Sequence, residues 1–364
     1  MKIIITVSSL TKGSGLSKYV YNLCDVLKKD NNELHIITTH AEQPEYEVKL
    51  FKNDANILVH QLHPYNKYIK YLQLIVLIRR LNADLIINNY HAPSQFVLPW
   101  CKRHARVIHI IHNDTTDFYR IAAINGKYVD GWITPTPGVM DNFNQFTRYK
   151  YADLVTPISH GVEQPGKYHI TAQKGNRLEL VFVGVLYEHK GVMTLPDIVK
   201  RLRESHIDFH FSIIGKGIKR DELKRAMADD IVNGFVELTG VLSAKEVYEK
   251  MAKAHIFLYP TLLDSFGLVI AEAMMNGAVP VVSHLKGITD ALVDDGENGY
   301  LITNPKDAVS FAERIIMLDN DRNKLVQMGE RAKLKAEQEF SLTRFHENYE
   351  NYFKQILTQQ PCQK

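Results

Sequence analysis

The stretch PTLLDSFGLVIAEAM, residues 260–274, decides the fold of this chain. An apolar run of strand length, 255–259, precedes it, and a helical pattern begins at Gly267. A strand, a short loop and a helix N-terminus in this order form a βα unit, a layout that proteins use to hold phosphate-bearing ligands. Asp264 lies in the loop and Glu272 lies about two turns into the helix, so they could approach opposite ends of one ligand. An ordinary βα unit fits the same pattern, and the rest of the chain has to distinguish the two interpretations.

Strand-length apolar runs alternate with helical patterns along most of the chain. The runs lie at 2–8, 34–39, 57–62, 85–88, 107–112 and 154–162 in the first half, and at 178–184, 209–214, 235–238, 255–259 and 279–283 in the second. This alternation predicts α/β domains with parallel sheets covered by helices. Residues 163–177 are rich in Pro and Gly and poor in apolar side chains, which indicates a linker. We therefore predict two doubly wound domains with a ligand between the carboxyl ends of their strands.

Helical patterns complete this prediction. They lie near 16–29, 192–205, 219–228, 244–253, 267–276, 306–318 and 321–339, with a final aromatic-rich helix at 341–357. A further apolar helix with basic ends is predicted at 66–80, and such a helix could dock on anionic phospholipid. Because its middle run, 72–78, is apolar all round, we expect instead a buried helix that packs on the sheet.

Composition narrows the function classes. The chain has 364 residues, 45% of them hydrophobic, and a net charge of +3, which gives no case for a nucleic-acid partner. Cys24, Cys101 and Cys362 have no metal-ligand spacing and fit a reducing compartment. No run reaches the roughly 18 apolar residues that a membrane span needs. We expect a cytoplasmic protein, with peripheral contact to the inner face of a membrane as a further expectation.

The stretch 260–274 resembles the signature of glycosyltransferase family 4, whose members have the GT-B fold of two facing Rossmann-like domains. That signature has an acid followed at a fixed spacing by a glutamate, with a Phe-Gly pair between them and Gly and Pro-Val-Val after them. This chain supplies Asp264, Phe266-Gly267, Glu272-Ala273-Met274, Gly277 and Pro280-Val281-Val282. The resemblance continues through 294–301. It implies an acceptor-binding domain at 1–163, a nucleotide-sugar-binding domain at 176–340, and a helix at 341–360 that crosses back to the first domain.

The resemblance also implies roles for residues in this stretch. Glu272 would hold the ribose hydroxyls of the nucleotide, since a carboxylate accepts two hydroxyl donors well. Asp264 would lie near the donor sugar or its phosphate, where the family usually has the longer Glu. The helix-start amides would point toward a diphosphate. They belong to Phe266, Gly267, Leu268 and Val269.

A second segment, residues 182–191, resembles the family's diphosphate-binding loop. Gly184, Lys190 and Gly191 match that loop, whereas Val185 stands where the family has an arginine. Lys190 would stabilise the charge that builds on the departing diphosphate. The alternative for Lys190 is a solvated loop lysine. Lys216 and Arg220 are candidates for the missing cation.

Three further positions follow from the resemblance. Gly215 lies in a Gly-rich turn that would border the nucleotide base. Gly13 and Gly15 follow the first strand, where the family has a glycine loop that faces the donor phosphates and the acceptor; an ordinary βα turn fits them equally well. His112 ends the apolar run 107–112 and would hydrogen-bond the transferred sugar, with a core histidine as the alternative.

The predicted function is that of a retaining, metal-independent glycosyltransferase. Its donor would be a nucleotide-sugar, expected to be a UDP-sugar, and its acceptor a glycan or a lipid-linked sugar in surface polysaccharide or lipopolysaccharide biosynthesis. No cofactor is expected. Two alternatives stay open: a nucleotide-sugar epimerase of the same fold, and a non-catalytic glycan-binding subunit.

Overall fold

The computed structural model describes residues 1–10, 15–29, 31–38, 56–62, 66–101, 104–164 and 177–358. The chain divides into two compact units, one formed by Met1–Gly161 with Thr343–Lys364 and the other by Val162–Leu342. Gly13 and most of the predicted linker, residues 165–176, lie outside the described residues.

The described part of the first unit is a parallel sheet of seven strands with helices between them. The strands are β1 (Lys2–Val7), β2 (Glu33–Thr38), β3 (Ile57–Gln61), β4 (Leu85–Asn89), β5 (Arg106–Ile110), β6 (Gly131–Thr134) and β7 (Val155–Pro157). The helices that precede the second unit are α1 (Gly15–Lys28), α2 (Lys67–Leu81), α3 (Ala92–Cys101), α4 (Thr116–Ala123) and α5 (Pro137–Phe146). The strand order is β3-β2-β1-β4-β5-β6-β7, so the direction of winding reverses between β1 and β4.

The second unit repeats this plan with six described strands. Its elements are β8 (Leu178–Val183), α6 (Leu195–Glu204), β9 (Phe209–Ile214), α7 (Arg220–Ala226), α8 (Ala228–Val232), β10 (Val236–Gly240), α9 (Ala244–Lys253), β11 (Ile256–Tyr259), α10 (Leu268–Met275), β12 (Val279–Ser283), β13 (Tyr300–Ile302), α11 (Ala308–Asn320) and α12 (Arg322–Glu339). The last helix, α13 (Leu342–Thr358), belongs to the first unit from Thr343 onward. The strands are parallel in the order β10-β9-β8-β11-β12-β13, and the winding reverses between β8 and β11.

The buried strands explain why the sequence alternates as it does. In β4, β5, β11 and β12 every residue is buried, because helices cover both faces of a parallel sheet. Such strands have near-continuous apolar runs instead of alternating ones. The predicted α/β class with two doubly wound sheets is confirmed, and both sheets have the Rossmann strand order.

Several element boundaries differ from the predictions. The helix predicted near 219–228 is two short helices, α7 and α8, separated at Met227. The run 154–162 forms only the three-residue strand β7, which ends at Pro157 because proline cannot donate to a strand ladder. The short strands β6 and β13 were not predicted. The helix at 244–253 is confirmed, and a capping box between Ser243 and Glu246 fixes its start.

The prediction that the helix at 66–80 is buried is wrong. In α2, Leu74 and Ile78 are buried, but Leu72 is 63% exposed and Ile69 and Val76 are also exposed. The helix has apolar side chains on more than one face, but only one face packs against the rest of the first unit. The apolar side chains of the other face therefore stay exposed. Among the described residues, no helix is long and apolar enough to cross a bilayer.

Candidate functional site

The candidate site of the second unit lies at the carboxyl ends of β8 and β11. These neighbouring strands flank the point where the winding reverses, and ligands of open α/β sheets bind outside the strand ends at such a point. The loops that leave the two strands, 184–191 and 260–267, carry most of the predicted donor-side residues. The topology therefore brings together two motifs that are far apart in sequence.

Backbone contacts join the two loops. The carbonyl oxygen of His189 accepts hydrogen bonds from Leu262 N at 2.9 Å and from Thr261 Oγ1 at 3.2 Å. Gly191 has φ +67°, and a Cβ at this position would lie 1.6 Å from the carbonyl oxygen of Pro260. Glycine is required here both for the left-handed backbone and for the close approach of the second loop.

Lys190 and Asp264 form an ion pair where the loops meet. Lys190 Nζ lies 2.8 Å from Asp264 Oδ2 and also donates to the carbonyl oxygen of Leu263 at 3.1 Å. Tyr259 donates its hydroxyl to the same carboxylate oxygen at 3.0 Å, and its ring centroid lies 5.5 Å from Lys190 Nζ. The exposed fractions of the paired side chains are only 16% and 15%. The structure thus places a cation, held by a carboxylate, at the switch point of the sheet.

The second oxygen of Asp264 binds the amides of the loop that leads into α10. Oδ1 accepts from the amides of Ser265 at 2.9 Å, Phe266 at 3.4 Å and Gly267 at 3.1 Å. Two amides predicted to face a diphosphate therefore bond to this carboxylate in the structure. Leu268 and Val269 begin α10, where helical N–H groups have no partner within the helix.

The surroundings of Asp264 favour its charged form. Burial would raise the pKa of this carboxyl, but the charge and hydrogen bond of Lys190, with the amide and Tyr259 donors, hold the pKa below its usual value. Burial and then the neighbouring carboxylate raise the pKa of Tyr259 well above its usual value, so its hydroxyl stays a donor. The site contains a charged pair and a neutral phenol at neutral pH.

Glu272 lies on α10, in the same βα unit as the ion pair. Its side chain is half-buried, and Tyr248 of α9 donates its hydroxyl to Oε1 at 3.3 Å. The sequence analysis missed Tyr248 and Tyr259. Tyr259 is the last residue of the apolar run before the loop. An aromatic residue with a hydroxyl group at the end of a strand is a sequence signal that could have identified it as a site residue.

Gly184 and Gly215 pack the loop after β8 against the loop after β9. Gly215 has φ +146°, and a Cβ there would lie 1.8 Å from the carbonyl oxygen of Gly184. Leu186 accepts from Lys219 N at 3.0 Å and donates to the carbonyl oxygen of Lys216 at 2.9 Å. Gly215 therefore permits close contact between the two backbones at the strand ends.

The Lys190–Asp264 pair has no second cation bonded to it in place of the family arginine, among the side chains that the structure describes. Val185 is 43% exposed at the arginine position. Lys216 is exposed, and Arg220 lies 3.9 Å from its sequence neighbour Asp221. Lys219, which the sequence analysis did not consider, is paired with Glu188 at 3.2 Å and Glu222 at 2.8 Å.

His112 follows β5 at the carboxyl edge of the first sheet. Its Nε2 lies 3.1 Å from Asn89 Oδ1 at the end of β4, and its ring packs against Tyr19 of α1 and His160 after β7. Burial, with smaller effects from His160 and His109, lowers its pKa well below the usual value, so the imidazole is neutral. The sequence analysis missed Asn89, Tyr19 and His160.

Gly15, which was predicted to contribute to the glycine loop, is the first residue of α1, and its predicted partner Gly13 is not described. In the described ranges, no cluster of three or more His, Cys, Asp or Glu residues is placed to share a metal ion.

Fold and site together define a class. Two Rossmann-ordered units, with candidate residues at the carboxyl ends of their strands, are typical of the GT-B architecture. Family models match both halves of the chain: glycosyltransferase family 4 matches residues 13–164, and glycosyl transferases group 1 matches residues 168–335. The chain therefore belongs to these GT-B glycosyltransferases, which confirms the resemblance seen in its sequence.

Curated relatives and solved structures agree with this assignment. The putative colanic acid biosynthesis glycosyltransferase WcaL of Escherichia coli is 28% identical over 171 residues, which are 45% of this chain and 42% of WcaL. The amylovoran biosynthesis glycosyltransferase AmsK of Erwinia amylovora is 27% identical over 198 residues, 52% of this chain and 48% of AmsK. The chain thus spans less than half the length of these relatives. HepE of Anabaena, solved with UDP, has the same fold at a TM-score of 0.80 and 17% identity, over 98% of this chain and 100% of HepE.

Proposed function

We propose that this chain is a retaining, metal-independent glycosyltransferase that moves a sugar from a UDP-sugar to a glycan or lipid-linked acceptor. Surface polysaccharide or lipopolysaccharide synthesis is the proposed setting, since relatives act in colanic acid and amylovoran biosynthesis. The observation that carries the proposal is the Lys190–Asp264 pair at the switch point of the second sheet, with Glu272 on the helix that follows.

Lys190 would act on the leaving group. When the bond between the anomeric carbon and the phosphate oxygen breaks, negative charge grows on the diphosphate, and a fixed ammonium group stabilises it. Asp264 and Tyr259 hold this ammonium in place before the donor binds. Such a cation supplies the charge stabilisation for which other enzymes use a metal ion. The acceptor oxygen forms the new bond to the anomeric carbon, and its proton leaves with the diphosphate.

The helix α10 would bind the rest of the nucleotide. The amides of Leu268 and Val269 lie at the positive end of the helix dipole, which favours a phosphate. Glu272 would accept from the two ribose hydroxyls, and Tyr248 orients its carboxylate. The glycine-rich turn at Gly215, which packs against the loop that begins at Gly184, would border the base. The amides of Phe266 and Gly267 donate to Asp264 in the structure. They would donate to the diphosphate of the donor only if the Asp264 side chain moved away.

In the first unit, His112 would contact the transferred sugar. In its neutral ring, one nitrogen can accept a hydrogen bond and the other can donate one. Asn89 fixes which nitrogen faces the protein, since Asn89 Oδ1 lies beside Nε2. Gly13 and Gly15 would contribute backbone to the same acceptor side.

The test is product analysis with UDP-sugars and candidate glycan acceptors. Sugar transferred with the anomeric configuration of the donor, in the presence of a chelator, is the expected result. Lys190→Ala should lower kcat by about 100-fold or more, because one preorganised cation is lost. Lys200→Ala is the matched control, since this lysine of α6 is 73% exposed, pairs with Glu204 on its own helix and should leave kcat unchanged.

Each other outcome has a definite meaning. An epimerised or hydrolysed nucleotide-sugar without transfer to any acceptor would replace the proposal with the epimerase alternative. Failure to bind or turn over any nucleotide-sugar would indicate a non-catalytic subunit. Inverted product or a strict metal requirement would overturn the mechanism while leaving the transferase class intact.

A further inference from the structure

An exposed apolar face covers the outer side of α2 and α3. Six large apolar side chains on these helices are between 43% and 71% exposed. They define the α2–α3 face: Tyr68, Ile69, Leu72, Val76, Phe96 and Trp100. Single exposed apolar residues are ordinary on protein surfaces, whereas a contiguous group on two adjacent helices marks an interaction surface.

Contacts between the helices show that this group is contiguous. The rings of Tyr71 and Phe96 lie 6.3 Å apart, and Arg79 Nε donates to the carbonyl oxygen of Trp100 at 2.7 Å. Along α2, Ile69, Leu72 and Val76 follow the spacing of one helical face. Along α3, Phe96 and Trp100 are one turn apart and also share a face. The two stripes therefore lie side by side.

The charged side chains of α2 and α3 themselves all have one sign. Arg79 and Arg80 are exposed at the end of α2, and Lys70 is partly exposed near its start. Neither α2 nor α3 contains an aspartate or a glutamate. A second copy of the chain would bring these cations against each other, whereas an anionic lipid surface would attract them.

We propose that the α2–α3 face binds the surface of an anionic phospholipid bilayer. The aliphatic side chains of α2 would enter the boundary between headgroups and acyl chains, as amphipathic helices do. Trp100 and Tyr68 have the amphipathic rings that are enriched at this boundary, and Arg79 and Arg80 would contact lipid phosphates. The proposal deepens the lipid-linked acceptor of the proposed function by naming the surface that reaches the membrane.

Tryptophan fluorescence can report this binding at the face itself. The chain has two tryptophans, and Trp132 is fully buried while Trp100 is 57% exposed. The full chain is mixed, without donor or acceptor, with vesicles of phosphatidylcholine alone or of phosphatidylcholine with phosphatidylglycerol. We expect a blue shift and protection from iodide quenching only with phosphatidylglycerol, and weaker binding at high salt.

Charge-introducing variants locate the surface. Arg80→Glu changes the local charge by two units and should weaken binding about thirtyfold, and Leu72→Glu should also weaken it. Val232→Glu is the matched control, because this 86% exposed valine lies in the second unit. Unchanged melting temperatures would show that the variants fold.

Two results would overturn the inference: no binding by the wild type to anionic vesicles, or binding that neither Leu72→Glu nor Arg80→Glu weakens. A change in oligomeric state with Leu72→Glu, and no vesicle binding, would identify the face as a contact between copies instead. The assay contains no donor or acceptor. A failure to bind vesicles would therefore leave the proposed sugar transfer to a water-soluble acceptor unaffected.

Discussion

Asp264 uses its two carboxylate oxygens for two different tasks. Oδ2 accepts from Lys190 and Tyr259, while Oδ1 accepts from the amides at the start of α10. One side chain thereby fixes the position of the cation and the geometry of the helix start. Its shorter length, compared with the Glu usual in the family, suits this loop-closing role, since Asp bonds readily to amides just after it.

Asp264→Asn should separate the two tasks, because Asn keeps the oxygen that accepts from the amides and loses the charge. The folded pKa of Asp264 lies below its unfolded value near 4, so its contribution to stability is present above that value and is lost as pH falls through the folded pKa. We expect the variant to be less stable by about 2 kcal/mol at pH 7, and we expect this difference to shrink as the pH falls through the folded pKa. Urea unfolding at decreasing pH measures this difference; a constant difference at every pH would contradict the assignment.

Glu272→Ala tests the proposed ribose contact. We expect UDP to bind about tenfold to 100-fold more weakly, because the hydroxyls lose a charged acceptor. Calorimetry with UDP and with 2′,3′-dideoxy-UDP provides the control, since the variant should no longer distinguish the two nucleotides. Equal weakening for both nucleotides would place Glu272 elsewhere in the site.

At the scale of elements, the two loops of the candidate donor site depend on one glycine. Gly191→Ala should lower the free energy of unfolding by at least about 2 kcal/mol, because its Cβ would collide with the backbone of Pro260 and the left-handed φ adds strain. Gly234→Ala has a similar φ of +75° but meets nothing within 4 Å, so only the strain of about 1 kcal/mol remains. Chemical unfolding of both variants compares the two costs, and equal losses would show that loop contact contributes nothing.

The elements also show what the sequence could predict. Helix α9 and the βα unit around α10 were identified because their caps, apolar runs and glycine are local signals. The exposure of α2 was missed because apolar periodicity does not say which face finds a partner. Lys190 and Asp264 were each identified from local motifs. Their pairing could not be predicted, because it arises only when β8 and β11 become adjacent parallel strands in the folded sheet. Tyr248 has no motif, and its contact with Glu272 comes from the packing of α9 beside α10.

At the scale of the whole molecule, the buried histidines of the first unit should make that unit sensitive to acid. Burial is the main cause that lowers the pKa of five described histidines in the first unit, with His109 at about 3. They are His35, His60, His109, His112 and His346. In the second unit, burial likewise lowers the pKa of His189. Because unfolded histidines bind protons below about pH 6.5, the first unit should lose stability as pH falls from there.

Hydrogen exchange in the full chain, corrected for intrinsic rates, tests this sensitivity. Between pH 6.5 and 5, the amides of β4 and β5 should lose protection. His109→Gln should make the loss less steep by up to about 1.4 kcal/mol per pH unit, since one proton fewer is taken up on unfolding. Constant protection of β4 and β5 between pH 6.5 and 5 would contradict the expectation.

The position of α13 has a consequence for how the chain matures on the ribosome. This helix follows the second unit in sequence, yet Phe345, Tyr349, Tyr352 and Phe353 are buried in the core of the first. Gly131 of β6 leaves space for it, since a Cβ there would lie 2.1 Å from the Tyr352 hydroxyl oxygen. The first unit therefore emerges early but waits for the synthesis of the second before its core is complete. During that interval, the apolar surface that α13 later covers is open to chaperones, and the second unit is the first that can finish folding.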